Sequence, residues 1–519
     1  MQNLDYKLKY IKYKQKYENL LTQSGGLKEY DYIICGGGTA GCVLAEKLSK
    51  NSNKTILLLE AGPIFKSDKF PKELTDPTII GSEHYDWNYS AIPTFHIDRK
   101  IEIPRAKTLA GCSAHNGTVT LRATAHDLDK RWSKHIDGWK FNDVLPYYKL
   151  LENTNYGSKE WHGKTGPLSI RQDNINNLTI PCQAFMQSAI NNGFDFITDF
   201  NNGKQNGVGM APRNVLNNIR QNTAIAYLTN KVRKRSNLEI KGHSEIDKVI
   251  FSNKQAIGVQ LVNKKIIYGK NIILCAGVYG SPAILSRSGI APKSELMNLN
   301  IEQVIDLPVG KILYDQPAYY MEYKLKSNIK NNDNISTIGA TLWTNSINVT
   351  KEELDIHIIA FNPDDNDSTI GIALVLMHPE SVGSLKLKNK NPKSAPIIDI
   401  NMLSNPIDRN KLVQAIRLVR KIVETEPLNN LIEKEITPGI DKKTNKELEN
   451  EILKEADSFA HGCCTLPMGS VVDQNGKVYG IDNLRVVDAS IFPLPISAPP
   501  NLTVIMVAEK IANHIVTSE

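Results

Sequence analysis

The sequence predicts an α/β protein of two packed domains, one organised on a parallel sheet and the other on an antiparallel sheet. Three observations carry this. Residues 30–63 read as strand, glycine-rich turn, amphipathic helix and second strand. Residues 266–276 are another apolar run, closing on Ala-Gly and delivering the chain to a helix. Between residues 313 and 454, β-favouring segments separated by Asn/Asp loops give way to two helical patterns. With 519 residues, 41% hydrophobic and 23% charged, the chain is globular and too long for one ordinary core.

Tyr32 to Cys35 is a β-favouring run, and Gly36, Gly38 and Gly41 complete G-x-G-x-x-G ahead of the helix. Gly36 allows the tight turn, Gly38 lets main chain approach a pyrophosphate, and Gly41 lets helix and strand pack closely. The helix N-terminus, with Thr39 and Ala40 in its first turn, offers N–H groups and the positive end of its dipole. Residues 56–59 form the second strand. Glu60, followed by Ala61, then sits where a carboxylate accepts hydrogen bonds from a ribose diol. This is a Rossmann-like dinucleotide-binding unit, suited at this point to FAD or NAD.

Residues 1–26 stand apart. Tyr6, Tyr10, Tyr13, Tyr17 and Leu21 form one stripe of a helix among scattered lysines, ahead of Ser24-Gly25-Gly26. Such a tract is either a frayed tail or a helix that docks, in a homo-oligomer or on a particle. It resembles the N-terminal segments of giant DNA virus proteins, which points to virion association.

Residues 103–117 place small side chains at Ala110, Gly111, Ser113 and Ala114, so that main chain can press on a flat ligand. Leu109 precedes them, and His115, Asn116 and Gly117 bring polar groups and a turn to the same surface. Trp132, Trp139 and residues 145–152 read as an amphipathic helical segment, followed by a strand over 166–170. Helical patterns are expected near 180–191 and 222–231. Strands are expected at 246–253, which contains Val249, at 256–262 and at 266–276, whose end at Ala276 returns the sheet to its ligand. A helix over 282–286 follows. In the second domain, strands are expected at 318–325, 336–342, 354–361 and 370–377, and helices at 409–425 and 446–459.

Lys and Arg total 62 against 55 Asp and Glu, for a net charge of +7. These charges are scattered, with no basic stripe interleaved with aromatics, so a nucleic-acid partner is not expected. Seven cysteines without a C-x-x-C pair predict buried free thiols and no metal site. The absence of a membrane-spanning apolar run and of a secretory h-region predicts a cytoplasmic protein with no membrane partner.

The last sixty residues hold FAHGCCTLPMG at 459–469, NLRVVDAS at 483–490 and SAPPNLT at 497–503, then an apolar helix over 504–516. Together with the opening glycine motif, residues 110–117 and GSPAILSRSGIAP at 280–292, in this order, they make the chain resemble the glucose-methanol-choline (GMC) oxidoreductases over residues 30–517. The resemblance implies a basic tail (1–28) and an FAD-binding domain (29–312) with inserted substrate-domain segments near 156–205. A substrate-binding domain (313–455) and a C-terminal return to the FAD domain (456–519) complete the arrangement. It implies FAD, with Gly36, Gly38, Gly41 and Glu60 holding the ADP part and Asp488 and Ala489 lining the ribityl and phosphate region. Thr39, Ala40, Ala61, Leu109, Gly111, Asn116, Gly117, Val249, Ala276, Asn501 and Thr503 are further expected contacts. His461 falls at the catalytic histidine and Asn501 at the second catalytic position. His115 matches the histidine that choline-oxidase-like members attach covalently to the flavin. Here Ala114 precedes it where those members have Ser, so covalent and non-covalent flavin both stay open.

Chemistry agrees with these assignments. Oxidising a carbinol carbon by hydride transfer requires the hydroxyl proton to leave, and a near-neutral imidazole suits that task. An amide at Asn501 can donate to the developing alkoxide without titrating, and a helix N-terminus at residues 501–503 can stabilise negative charge on the reduced flavin. The expected function is FAD-dependent oxidation of a small-molecule alcohol with oxygen or another electron acceptor. The alternatives are a catalytically weak flavoprotein in a structural or virion-surface role and an NAD-dependent dehydrogenase sharing only the βαβ unit. Two stretches depart from the family pattern. Ala110 stands for the first of two glycines. In residues 309–317, Lys311, Ile312 and Gln316 stand for an acid, an asparagine and a histidine, which bears on the expected lid and entrance.

Overall fold

The computed structural model describes residues 28–94, 99–326, 337–361 and 368–518. The Lys/Tyr tract, with the oligomer and virion expectations attached to it, lies outside the described residues.

Strand Tyr30–Cys35 occupies the middle of the first sheet, parallel to Ile56–Leu59 on one edge and to Ile266–Leu274 on the other. Leu238–Lys241 extends the sheet beyond Ile56–Leu59, again parallel. Every residue of Ile56–Leu59 is buried, as an unbroken apolar strand covered on both faces must be. Strand Ile266–Leu274 carries two neighbours on its far edge. Gln255–Leu261 lies antiparallel to its first residues, while Leu484–Val486 lies parallel to Ile272, Ile273 and Leu274. The Val487 N–H donates to the Leu274 carbonyl at 2.8 Å. The far end of the chain is thereby laid beside Cys275 and Ala276, next to the glycine turn.

Helix Thr39–Leu48 packs on this sheet and on the C-terminal helix Pro500–Ser518. A Cβ at Gly41 would sit 1.9 Å from the Gly36 carbonyl oxygen, so only glycine allows this approach of helix to turn. Helix Gly277–Arg287 begins earlier than its expected start at 282. Pro282 lies inside it and cannot donate to the Val278 carbonyl, which accepts instead from Thr465 Oγ1 at 2.7 Å. The helix expected near 222–231 is two short ones, Thr223–Tyr227 and Asn230–Arg233. The Thr229 side chain caps a fresh start after Leu228 leaves the helical region.

Among the described residues the second sheet has eight strands, one of them the short Asp457–Ser458 beside Pro317 and Ala318. Its body runs Ile432–Thr437, Pro317–Leu325, Thr369–Leu376, Ile356–Phe361 and Ile338–Thr344, all antiparallel. Gly207–Gly209 and Phe196–Ile197 add an edge from an earlier part of the chain. Along Pro317–Leu325, Tyr319, Met321, Tyr323 and Leu325 join a core with helices Ile180–Asn191, Pro406–Val423 and Asn445–Glu455. Ala318 turns to the opposite face with Ile359 and Val375, the two-residue alternation of a strand. That second face looks toward the glycine turn of the first sheet.

Candidate active site

A cavity of about 570 Å³ lies between the two sheets, within the range of small-molecule sites. Gly36, Gly38, Thr39, Ala40, Glu60 and Ala61 line one end. Gly111, His115, Asn116, Gly117, Ala276, Asp488 and Ala489 line it too, and so do His461 and Asn501. The expected catalytic pair and the nucleotide cradle thus share one space.

The cradle is built from backbone. Gly38 caps helix Thr39–Leu48 with no side chain, which leaves first-turn N–H groups for a ligand. Gly111, in the left-handed region at φ 53, approaches so closely that a Cβ on it would lie 2.8 Å from the Gly38 Cα. Glu60 accepts the Gly37 N–H at 2.8 Å and the Gly62 N–H at 2.8 Å, one on each oxygen. Burial nonetheless pushes its carboxyl up. Asp488 accepts from the Gly277 N–H at 2.9 Å and the Ser281 hydroxyl at 2.6 Å. It ties the C-terminal return to the start of helix Gly277–Arg287.

His461 sits in a tight turn. Ala460 before it has φ 59, a strained setting for a residue with a Cβ. Asp315 and Ser458 hold that turn. Asp315 Oδ1 accepts the His461 N–H at 2.9 Å, Asp315 Oδ2 accepts the Ser458 hydroxyl, and Ser458 Oγ accepts the Ala460 N–H at 2.9 Å. The His461 ring packs edge-on against Phe459, centroids 4.9 Å apart, and its Nδ1 lies 2.6 Å from Gln316 Oε1. Burial, then the Arg105 guanidinium and His357, lowers the His461 pKa to about 3. The ring is therefore neutral, and a base, throughout the physiological range. Burial and Arg105 likewise lower His115 to about 4, and its buried Nδ1 has no partner among the described residues. Asn501 opens helix Pro500–Ser518, and its Oδ1 accepts from Thr39 Oγ1 at 3.1 Å. That bond leaves the amide N–H groups as its free donors.

Four expected contacts do not line the cavity. Gly41 serves the helix packing described above, and Leu109 is fully buried beneath Gly37. Val249 lies within strand Ile246–Ser252, its N–H donating to Ser288 Oγ at 2.9 Å. Ser244, Glu245 and Ile246, just before that strand's interior, line the cavity instead. Thr503 turns away to bond the Tyr148 hydroxyl at 2.7 Å.

The site also contains residues the motifs did not single out. Arg105 lines it, stacked 5.1 Å from the Tyr279 ring centroid, and has no ion-pair partner among the described residues. Gln316, expected to bear on lid and entrance, is 3% exposed and bonded to His461. Lys311 is on the surface, paired with Glu295 at 2.7 Å. The only advance signal for Gln316 was its place in the run that departs from the family pattern.

The cavity suits a flavin dinucleotide. Its glycine cradle has uncapped helix N–H groups, a wall of small residues follows, and His115, whose buried Nδ1 has no partner among the described residues, lines it as well. Fold and site together define a dinucleotide-dependent oxidoreductase. The GMC oxidoreductase N-terminal family model matches residues 30–318 and the C-terminal one residues 379–508. The chain is 34% identical to an oxygen-dependent choline dehydrogenase of Acinetobacter baumannii, covering 94% of this chain and 97% of that one. It is 33% identical to a protein of the same name from Burkholderia ambifaria, over 94% of each. Among solved structures, pyridoxine 4-oxidase from Mesorbium loti superposes with TM-score 0.89 at 25% identity, over 95% of this chain and all (100%) of that one. A formate oxidase shares the fold at TM-score 0.86 and 21% identity, over 95% and 99%. The chain belongs to the GMC oxidoreductase family, and it is an FAD-dependent oxidoreductase acting on CH–OH donors. No helix among the described residues is long and apolar enough to cross a membrane. All seven cysteines are free.

Proposed function

We propose that the protein oxidises the carbinol group of a small-molecule alcohol, with His461 taking the hydroxyl proton and Asn501 orienting the oxygen. The observation that carries this reading is that His461, half-buried with its Nδ1 on Gln316 Oε1, lines the same cavity as Asn501 and the glycine cradle. Bound FAD supplies the two-electron acceptor for the hydride. The residues of the chain do the rest. Asn501, its oxygen engaged by Thr39, presents N–H donors to the substrate oxygen. Arg105, which lines the cavity and makes no direct ion pair among the described residues, stabilises negative charge that develops there. Tyr320, Ile338, Ile359, Phe361 and Phe459 form an apolar wall that keeps water from the reacting carbon.

The test is anaerobic mixing of the flavin-loaded protein with a panel of alcohols, choline among them because relatives carry that name, followed by flavin absorbance. Wild type is bleached by at least one alcohol. His461→Ala keeps its yellow colour and loses at least a hundredfold in the rate of bleaching. An active His461→Ala removes the histidine from its role, and a wild type that no alcohol bleaches favours the catalytically silent flavoprotein.

A further inference from the structure

Gln316 has more structure around it than a space-filling residue needs. Its Nε2 donates to the Met377 carbonyl at 3.0 Å and to the Ile496 carbonyl at 2.9 Å. Both amide hydrogens are thereby committed, and a flipped amide would set its oxygen against two carbonyl oxygens. The orientation is fixed by this network, and Oε1 can only accept. It meets His461 Nδ1 at 2.6 Å, so Nδ1 must carry the proton. Nε2 is left with its lone pair uncommitted among the described residues, on a ring that lines the cavity.

We propose that Gln316 is the positioning residue that selects the Nδ1–H tautomer of His461 and so makes Nε2 the atom that receives the substrate proton. This rests on the reading of His461 as the base. The same dipeptide fixes both parts of the histidine, since Asp315 holds its backbone N–H and Gln316 its ring. The two carbonyls that orient Gln316 come from Met377, just after strand Thr369–Leu376, and from Ile496, on the segment leading to Asn501. A neutral partner also distinguishes this site from a carboxylate-oriented histidine. Gln316 selects one tautomer and stabilises the imidazolium less than a carboxylate would. The charged and titratable groups around His461 are then Arg105, His357 and Asp315, with Tyr279 against Gly462.

The experiment labels the flavin-loaded protein with ring-¹⁵N histidine and reads the His461 signals, assigned by their loss in His461→Ala. Wild type shows a protonated Nδ1 and a bare Nε2 at neutral pH. Gln316→Leu, with flavin content retained, shows the proton shared between the two nitrogens, and its kcat/KM falls about 10–100-fold, the usual loss when an orienting partner is removed. A wild-type tautomer signature in Gln316→Leu overturns the proposal. Should that variant not fold, Gln316→Glu decides. A carboxylate beside Nδ1 favours the protonated ring, so the acid limb of the kcat/KM profile moves up by about 1–3 pH units, and an unmoved limb overturns the proposal. Full activity of His461→Ala would instead overturn the base assignment itself.

Discussion

Replacing Gly38 with alanine separates folding from cofactor binding, because of where the added methyl would point. Gly38 has φ −75 and ψ −161, a conformation open to any residue. Its Cβ would lie 3.8 Å from the Cys275 carbonyl oxygen and 3.9 Å from the Gly111 Cα, ordinary contacts that require no adjustment of the apoprotein. The apoprotein is therefore expected to keep its stability or gain about 0.4–1 kcal/mol through the stiffer unfolded chain. The methyl instead enters the space where main chain is to meet the pyrophosphate. Overpacking of a filled site costs about 1–3 kcal/mol, or about 5–150-fold in FAD affinity at 1.4 kcal/mol per decade. Flavin-to-protein ratio after purification, FAD titration of the apoprotein and urea midpoints measure the two effects. Gly41→Ala is the control: its Cβ would meet the Gly36 oxygen at 1.9 Å, so folding and FAD binding fail together. Unchanged FAD affinity in Gly38→Ala, or an apoprotein as unstable as that of Gly41→Ala, would refute the placement of the pyrophosphate.

Three further outcomes are expected. Burial holds His461 at about 3, His115 at about 4 and His357 at about 3, below the ordinary histidine value. Between those values and about 6.5 these three histidines bind more protons in the unfolded chain than in the folded one, while buried carboxyls that are pushed up, Glu60 and Asp488 among them, act the other way; NMR titration of the apoprotein should find the three rings neutral at about pH 5, and a ring already protonated there would contradict this burial. At Asp127, burial pushes the carboxyl up, but His378, Arg131 and the Ser497 N–H outweigh it and hold it down at about 2. It accepts from Ser497 N and Thr124 N at 2.9 Å each and meets His378 Nε2 at 2.9 Å, so Asp127→Ala should lose about 3 kcal/mol or more in urea unfolding, and a loss below about 1 kcal/mol would contradict it. For His115, covalent attachment requires that colour stay with the denatured polypeptide on filtration and pass the filter in His115→Ala; complete release from wild type leaves the flavin non-covalent.

Much of this was legible in the sequence because it is local. Gly36, Gly38, Gly41 and Glu60 act within one βαβ unit, and strands such as Thr369–Leu376 announce themselves by their own residues. That His461 and Asn501 would share a cavity with the glycine cradle was legible through motif. Contacts across the chain were not. Gln316 and His461 are separated by 145 residues, and nothing in the run Asp315-Gln316-Pro317 says that its amide will face a ring brought in by a turn at Ala460. Val249 lies off the cavity wall for a different reason. Which residues of a strand reach a neighbouring cavity depends on where the strand ends relative to it, and the cavity meets residues 244–246 instead. The helix expected over 222–231 was divided by Thr229, a capping side chain inside what periodicity alone reads as continuous.

The branch on strand Ile266–Leu274 has a consequence for biosynthesis. Until Leu484–Val486 leaves the ribosome, the edge at residues 272–274 has no strand to pair with, and bare amides there invite other extended chains. The residues made before them must therefore wait with an unsealed seam, and the nucleotide pocket is completed only once residues 484–504 have followed.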